Sequence, residues 1–321
     1  MRKVLIVGGE GQDGIILRRY HHFDDNVMSV GVADSKFSDC ELVGPGFRKD
    51  SLKDFLRIVR NFKPDLVYYL AAVHGPETTT LNTDPDLLRS RKFIDDYGLK
   101  HLLDSLKALN QSINFFYSAT SKLYKKNEQR INEATPFNPS CAYSESKLRA
   151  VEWLESIKES DLRLTIGMMF HHHSRFRRGD YALNKLAFTL AKGFGISSDG
   201  VLANPEAVED FSCAIEMMRV VSELQKTSVA GRFVLASGFS RSLRDLADET
   251  VSRLSDLRAR PNFKAADDRM HINRVYSNAD VTKLKSYGLH LRDQIVACLA
   301  DQVIRLRIKD DLSCRAGVEN T

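Results

Sequence analysis

The sequence predicts an α/β fold in which a parallel sheet is covered by helices on both faces and is followed by a smaller lobe. From residue 3 to about residue 170, short apolar runs alternate with segments of helical spacing. Strands buried on both faces appear as continuous apolar runs, so this alternation indicates parallel strands joined by crossover helices. Beyond residue 171 the alternation weakens, which indicates a second unit.

The elements of the first unit follow one another in regular order. Its expected strands are residues 3–7, 27–32, 65–72, 113–118 and 162–170. Its expected helices are residues 15–20, 51–61, 85–109 and 143–157. Residues 1–170 are therefore predicted to form one doubly wound domain.

The second part of the chain has fewer and shorter strands. Strands are expected at 232–236 and 274–277, among helices at 181–192, 241–254 and 293–307. Residues 171–321 are predicted to be mainly an α/β lobe over the carboxyl ends of the strands, with some segments returning to the first domain. The polar residues 310–321 are expected to be frayed.

Composition restricts the partners of the chain. Its 321 residues are 43% hydrophobic and 28% charged, and the net charge of +5 is spread along the whole sequence. No basic run favours nucleic acid, and no apolar run is long enough to cross a membrane. The cysteines are scattered without paired spacing, so reduced thiols and a cytoplasmic protein are expected; they are Cys40, Cys141, Cys213, Cys298 and Cys314.

A glycine turn follows the first strand and opens the first helix. Gly8, Gly11 and Gly14 leave room for a tight turn and for a pyrophosphate at the helix N-terminus. A glycine triplet alone is also typical of any strand–helix turn with positive φ. Here Asp34 ends the second strand about 20 residues further on, as expected of an acid that binds a ribose 2′-hydroxyl. The sequence therefore predicts a Rossmann dinucleotide site that prefers NAD to NADP.

A second pattern predicts proton transfer. Tyr143 and Lys147 lie one turn apart at the start of a predicted helix. A lysine in that place favours the phenolate electrostatically, and the tyrosine can then exchange a proton with a substrate hydroxyl. YxxxK is common on surface helices. The preceding strand makes the pattern more specific, because it ends at Thr120, which can hydrogen-bond the same oxygen.

These motifs resemble the extended short-chain dehydrogenase/reductases, and within them the GDP-mannose 4,6-dehydratase family. The resemblance covers most of the chain. Besides the glycine turn, it rests on residues 70–72, 132–137, 143–147, 170–174, 177–179, 202–210 and 236–238.

The resemblance implies an enzyme that first oxidises C4 of a nucleotide-activated sugar, with the hydride passing to the cofactor and GDP-sugars favoured. The cofactor preference departs from the family, because Asp34 replaces an arginine that reads the 2′-phosphate of NADP, which independently favours NAD. It also implies a homodimer or higher oligomer built on the helices at 85–109 and 143–157. Implied cofactor contacts are Gly8, Gly11, Gln12, Asp13, Gly14, Asp34, Phe47, Leu70, Ala71, Ala72, Ser118, Tyr143, Lys147 and Phe170. Implied substrate contacts are His74, Thr120, Ser121, His171, Arg177 and Asn204.

Several residues depart from the family pattern. Lys122 stands where the family has the glutamate that removes the C5 proton before dehydration. Lys122 could take that role if its amine lost its proton near neutral pH; the alternative is a solvated surface lysine and no dehydration. His171 replaces a substrate-binding asparagine. Glu209 replaces an arginine that pairs with the substrate diphosphate, and an acid in that place is expected to repel the diphosphate. Phe47 replaces a small acidic residue, so stacking on adenine is expected instead.

The run 171–173 of three histidines suggests a metal, but consecutive residues point in different directions and no acidic or cysteine cluster is nearby. No metal is therefore expected. His74 is expected either in the cleft or as an ordinary loop histidine.

Three functions stay open. The first is a nucleotide-sugar 4,6-dehydratase that uses Thr120, Tyr143 and Lys147, with Lys122 as the C5 base. The second is a C4 oxidoreductase or epimerase that needs only the first three residues. The third is a non-catalytic NAD-binding sensor or scaffold, which the altered residues His171 and Glu209 suggest and the intact Thr/Tyr/Lys set disfavours.

Overall fold

The computed structural model describes residues 1–32, 46–73, 85–125, 130–158, 161–177, 181–192, 205–206, 208–227, 229–254 and 276–318. The strands are β1 (Arg2–Val7), β2 (Asp25–Val30), β3 (Leu66–Tyr69), β4 (Ile113–Ser118), β5 (Leu162–Met169), β6 (His171–His173), β7 (Val208–Cys213), β8 (Gly231–Leu235), β9 (Ser240–Ser242) and β10 (Tyr276–Ser277).

The helices alternate with these strands. They are α1 (Gln12–His21), α2 (Leu52–Phe62), α3 (Pro85–Lys92), α4 (Leu99–Lys107), α5 (Ala142–Ser156), α6 (Ala182–Ala191), α7 (Ala214–Leu224), α8 (Leu243–Arg253), α9 (Thr282–Ser286) and α10 (Ile295–Val318). A π-helical turn, Phe93–Gly98, joins α3 to α4, and a 3₁₀ turn, Ser121–Leu123, follows β4.

The large sheet has six parallel strands in the order β2-β1-β3-β4-β5-β8. The strand order reverses between β1 and β3, because the chain leaves β1 for β2 on one side and later returns to β3 on the other. Ligands of open α/β sheets bind at such a switch point, outside the carboxyl ends of the strands. The prediction of a parallel Rossmann sheet is confirmed.

Burial explains why these segments become strands and helices. All four residues of β3 are buried, as expected for a central parallel strand. In α2 the apolar residues Leu52, Phe55, Leu56 and Val59 recur at helical spacing and face the sheet. Full burial of such a side chain stabilises the fold by about 1.5–3 kcal/mol, so these positions keep the helix on the sheet.

A smaller sheet contains the order β10-β7-β6, with β9 antiparallel to β7. Two segments from this half of the chain pack against the Rossmann unit. β8 pairs with β5 in the large sheet, and α7 packs on α1 through a shared apolar cluster.

Several elements differ from the sequence-based expectations. The strands β6 and β7 were not predicted, because short strands carry little periodicity. The helix α7 was not predicted either. The helix α10 continues to Val318, so the expectation of a frayed segment is wrong for residues 310–318. No proline interrupts that stretch. The predicted helix over 85–109 is present, but its middle is the π-helical turn.

The cysteines also correct an expectation. Cys213, at the end of β7, forms a disulfide with Cys298 in the first turn of α10, so the expectation of reduced thiols is wrong for these two. They are 85 residues apart in the chain, and only the packing of α10 against β7 brings them together. Cys141 is not disulfide-bonded. Among the helices described, none is both long and apolar enough to cross a membrane.

Candidate active site

A cavity of about 350 Å³ opens at the carboxyl ends of the central strands. Its wall combines the glycine turn, the ends of β3, β4 and β5, the start of α5 and the segment that follows β6. The lining residues include Gly8, Glu10, Gly11, Gln12, Asp13, Gly14, Leu70, Ala72, Ser118, Thr120, Ser121, Lys122, Tyr143, Phe170, His171, His172, Arg177 and Tyr181.

The glycine turn is packed as a dinucleotide site requires. Gly8 has φ of 94°, and a Cβ there would lie 2.8 Å from the backbone nitrogen of Ala71. A Cβ on Gly14 would lie 2.6 Å from the carbonyl oxygen of Gly8. The side of Gly11 is more open, with 3.4 Å to the nearest atom, and no side chain caps the first turn of α1. The first-turn amides can therefore receive a pyrophosphate.

Replacing Gly14 with alanine should weaken NAD binding by roughly tenfold or more, since overpacking costs about 1–3 kcal/mol. The added methyl group would push α1 away from the turn that must hold the pyrophosphate. Titration of NAD by calorimetry measures the effect. Gly46→Ala is the control, because its Cβ would meet nothing closer than 3.4 Å and Gly46 does not line the cavity. Equal NAD affinities in both variants would contradict the expectation.

Tyr143 lies in the first turn of α5, and its phenol is hydrogen-bonded to the side chain of Thr120. Burial raises the pKa of Tyr143 well above its ordinary value, and the carboxylate of Asp95 raises it further. The hydrogen bond from Thr120 and the charge of Arg177 act in the opposite direction. The structure thus brings Thr120 and Tyr143 together, but it keeps the phenol protonated.

Lys147 lies behind the cavity wall and is 1% exposed. Its ammonium nitrogen is 2.9 Å from Asp95 and 3.4 Å from the carbonyl oxygen of Ala71. The sequence suggested that Lys147 favours the phenolate of Tyr143. In the structure this ammonium pairs with Asp95, and the pKa of Tyr143 stays high because of burial first and the charge of Asp95 second.

Lys122 occupies the 3₁₀ turn after β4 and lines the cavity together with Ser121. Its backbone N–H donates to Thr120 Oγ1 at 3.3 Å, which ties the turn to the end of β4. The side chain is partly buried and close enough to His171 for the two charges to interact. Of the two alternatives for Lys122, this placement favours a residue of the cleft over a solvated surface lysine.

His171 and Glu209 contact each other across β6 and β7. The distance between His171 Nε2 and the Glu209 carboxylate is 2.8 Å. The ring is 44% exposed. Its partial loss of solvent works against protonation, but Glu209 outweighs this effect and raises the pKa of His171. The acid that was expected to repel a substrate diphosphate therefore contacts the ring of His171.

This ion pair should make stability depend on pH. Because folding raises the pKa of His171, the stabilisation by this ion pair is complete below about pH 6.5, the ordinary pKa of a histidine. The effect disappears as the pH rises through the folded-state pKa. Glu209→Gln should therefore lower the urea midpoint more at pH 5.5 than at pH 8.5. The additional loss at pH 5.5 corresponds to the interaction of Glu209 with the protonated ring of His171, which is absent once the ring is neutral.

A matched control separates this effect from simple loss of a carboxylate. Glu206 pairs with Arg244, and the arginine stays charged over the whole range. Glu206→Gln should cost the same at both pH values. A Glu209→Gln penalty that is equally independent of pH would contradict the role assigned to His171.

The other two histidines of the run have different partners. His172 Nε2 lies 3.0 Å from Asp13, and its Nδ1 lies 2.7 Å from the carbonyl oxygen of Phe170. Burial alone would raise the pKa of Asp13, but His172 and Arg177 hold it below its ordinary value. This contact joins β6 to the glycine turn.

His173 belongs to a buried chain that reaches Arg177. His173 Nε2 is 2.5 Å from Gln302 Oε1, Gln302 donates to Asn184 at 3.1 Å, and Asn184 donates to the carbonyl oxygen of Arg177 at 2.9 Å. Burial lowers the pKa of His173 to about 4, so the ring is neutral. The guanidinium of Arg177 then lies over the ring of Tyr181, at 4.0 Å from its centroid. Within the described ranges, no three His, Cys, Asp or Glu side chains form a metal-binding group.

The remaining predicted site residues divide into three groups. Leu70, Ala72, Ser118 and Phe170 line the cavity, and Ala71 supports the glycine turn from behind. Asp34, His74 and Asn204 lie outside the described residues.

Phe47 is the third case and a correction. Its ring is fully buried and packs against Phe55, Tyr69 and Phe93. The expected stacking contact with adenine is therefore not available, because the core already covers this ring.

Three residues of the site were not found from the sequence. Asp95 and His172 act through contacts with residues far away in the chain. Glu10, inside the glycine turn, accepts a hydrogen bond from the backbone N–H of Val32 at 2.6 Å, at the end of β2. Glu10 carried a local clue, since it lies between two glycines of the turn.

A parallel Rossmann sheet with a threonine and a tyrosine at its switch-point cleft, and a lysine one turn behind the tyrosine, defines the extended short-chain dehydrogenase/reductase class. Within this class the chain belongs to the GDP-mannose 4,6 dehydratase family, whose sequence profile matches residues 5–286. This is a family of nucleotide-sugar-modifying enzymes, and the resemblance noted from the sequence is confirmed.

Individual relatives agree with this assignment. The chain is 25% identical over 265 residues to GDP-mannose 4,6-dehydratase of Yersinia enterocolitica, covering 76% of this chain and 70% of that protein. Its fold is similar to RMD of Pseudomonas aeruginosa complexed with NADPH, with a TM-score of 0.75, 17% identity and coverage of 96% and 100%. It is also similar to UDP-glucose-4-epimerase of Stenotrophomonas maltophila with bound NAD, with a TM-score of 0.77, 14% identity and coverage of 97% and 100%.

Proposed function

We propose that the protein is an NAD-dependent enzyme that oxidises C4 of a nucleotide-activated sugar and then dehydrates it. The observation that carries the proposal is that one cavity is lined by the glycine turn, by the hydrogen-bonded pair Thr120 and Tyr143, and by Lys122. The named activity of the GDP-mannose 4,6-dehydratase relative supports a GDP-sugar as the substrate.

The residues have distinct roles in this proposal. NAD, when bound, would accept the hydride of C4. Gly8, Gly11 and the first turn of α1 hold its pyrophosphate. Thr120 hydrogen-bonds the C4 hydroxyl and Tyr143 takes its proton, so that a ketone forms at C4. Because the Tyr143 phenol is protonated in the protein alone, it first has to lose a proton, and the positive charge of the oxidised cofactor, when bound, would favour that loss.

Dehydration is assigned to Lys122. A ketone at C4 acidifies the hydrogen on C5, and the amine of Lys122 takes that proton. The C6 hydroxyl leaves with the proton collected from C5 as water, and a C5=C6 double bond forms. The reduced cofactor, when bound, would supply a hydride to C6 while C5 takes up a proton that exchanges with solvent, so the sugar becomes a 4-keto-6-deoxy product and the cofactor is oxidised again. Removal of the C5 proton is the role that a carboxylate base would otherwise have, and Lys122 lies in the same cavity as Thr120 and Tyr143.

The test is an assay of the purified protein with NAD and a panel of GDP- and UDP-sugars in D₂O. A 4-keto product that carries deuterium at C5 is expected. A C4 product without C5 deuterium would replace dehydration by C4 oxidoreduction or epimerisation, which the structural similarity to an epimerase supports. NAD binding without turnover of any sugar in the panel would contradict the proposal and support the third alternative, a non-catalytic NAD-binding sensor or scaffold.

The domain roles and the assembly complete the proposal. Residues 1–170 bind the cofactor, and residues 171–321 mainly form the substrate lobe. The homodimer built on the helices at 85–109 and 143–157 stays a prediction, and size-exclusion chromatography with light scattering would test it.

A further inference from the structure

Asp95 lies at the centre of a buried polar cluster that the proposed mechanism does not use. It is 3% exposed and belongs to the π-helical turn Phe93–Gly98. A π-helical turn inserts a residue into a helix, and such turns are frequent at functional sites.

Both oxygens of the Asp95 carboxylate accept hydrogen bonds from other elements. Lys147 Nζ lies 2.9 Å from Oδ1, and the Tyr117 hydroxyl donates to the same oxygen at 3.1 Å. Ser146 donates to Oδ2 at 3.0 Å. The carboxylate of Asp95 therefore links α5 to β4. It attaches the N-terminal half of α5, which carries Tyr143, to the sheet.

The ammonium of Lys147 has few other positions available. It lies 4.7 Å from the centroid of the Tyr117 ring and 3.4 Å from the carbonyl oxygen of Ala71. Lys147 and Asp95 are 1% and 2% exposed in their side chains. Removal of one partner of such a buried pair leaves an uncompensated charge, so each fixes the other.

We propose that Asp95 is a positioning residue of the active site, which holds the Lys147 ammonium one helical turn from Tyr143 and controls how readily Tyr143 releases its proton. This inference rests on the proposed function for its catalytic meaning. Its electrostatic part concerns the protein alone.

The charges around the cluster agree with this role. Groups facing Asp95 are Lys147 and Tyr143 from α5, Tyr69 from β3, Tyr117 from β4 and Arg91 from α3. Burial raises the pKa of all three tyrosines, and Asp95 raises each of them further. On the cavity side, Thr120 and Arg177 lower the pKa of Tyr143 and Tyr181 raises it. Arg91 lies 6.0 Å from the centroid of the Tyr143 ring and donates to the carbonyl oxygen of Val73.

The decisive variant is Asp95→Asn, which keeps the shape of the side chain and removes its charge. The chain offers a matched control in Asp96→Asn. Asp96 is the next residue of the same π-helical turn, it pairs with Lys100 at 2.6 Å, and both side chains are 44% exposed. Each substitution removes one acid from the same turn, but only the first removes it from the cluster around Lys147.

Ionisation of Tyr143 is measured by carbon NMR of protein labelled at tyrosine Cζ, with Tyr143→Phe assigning the signal. Up to the highest pH at which the protein stays folded, Asp95→Asn should show more ionised Tyr143 than the wild type at the same pH, as for a midpoint lowered by about one unit, because Asp95 no longer raises the pKa of Tyr143. Asp96→Asn should leave it in place. Unchanged titration in Asp95→Asn, or equal shifts in both variants, would overturn the inference.

Kinetics provide the second readout and separate this inference from the proposed function. The limb of the kcat–pH profile that reports Tyr143 should shift with Asp95→Asn, with KM for NAD nearly constant. A shifted NMR titration without nucleotide-sugar turnover would refute the proposed function alone, whereas turnover without any shift would refute the role of Asp95.

If Asp95→Asn fails to fold, Ser146→Ala tests the positioning role. It removes one donor to Asp95 and leaves the charge. We expect a severalfold lower kcat with unchanged KM for NAD, and an unchanged kcat would overturn the inference.

Discussion

Replacing Tyr143 with phenylalanine is expected to lower kcat for C4 oxidation by about 10²- to 10⁴-fold, the usual contribution of a positioned general acid or base. The phenol is the group in the cavity that is hydrogen-bonded to Thr120, so its loss leaves the C4 hydroxyl without a proton acceptor. The glycine turn is not touched, and NAD should bind with nearly wild-type affinity. Turnover is followed by product analysis, and NAD binding by calorimetry.

Tyr124→Phe is the matched control for this variant. Tyr124 is 3% exposed and does not line the cavity. Its hydroxyl oxygen is buried and has no hydrogen-bond partner in the structure as described, so the loss of this oxygen should leave kcat unchanged. A Tyr143→Phe protein that kept full turnover would remove the proposed mechanism.

Replacing Lys122 with methionine is expected to abolish dehydration while C4 chemistry continues. Methionine keeps the length and apolar stem of the side chain but lacks the amine, so the C5 proton has no acceptor. Incorporation of solvent deuterium at C5 should fall by about 10²- to 10⁴-fold. Hydride transfer from C4, measured as reduced cofactor in a single turnover, should change little because Thr120 and Tyr143 remain.

Lys125→Met is the control for Lys122→Met. Lys125 lies just beyond the same 3₁₀ turn and is exposed, so both substitutions remove one positive charge from the same segment. Lys125→Met should exchange deuterium into C5 at the wild-type rate. Equal exchange in the two variants would eliminate Lys122 as the base.

Local sequence was sufficient for the parts of the site that depend on spacing within one turn. The positions of Gly8, Gly11 and Gly14 are fixed by a strand that runs directly into a helix, and such a turn has few alternatives. Tyr143 and Lys147 are four residues apart on a helix, and helical geometry alone places them on one side. The parallel sheet followed from uniformly apolar strands for the same reason, since burial on both faces is visible in each strand separately.

Contacts between distant segments could not be predicted in this way. The contact between His171 and Glu209 depends on the pairing of β6 with β7, which the sequence did not predict. His171 also lines the cavity, so its role in substrate binding stays a prediction. Phe47 was expected to stack on adenine, but the aromatic residues of α2, β3 and the π-helical turn enclose it. The disulfide between Cys213 and Cys298 depends on how α10 packs on the small sheet.

The sequence by itself determined the Rossmann fold, the glycine turn and the Thr120, Tyr143 and Lys147 set, because each is specified by residues close together in the chain. Only the tertiary structure decided the charge that acts on this set. The π-helical turn Phe93–Gly98 packs against the start of α5, and Asp95 therefore contacts the ammonium of Lys147. Electrostatic interactions in a buried site depend on distance in space, and that distance appears only when the chain is folded.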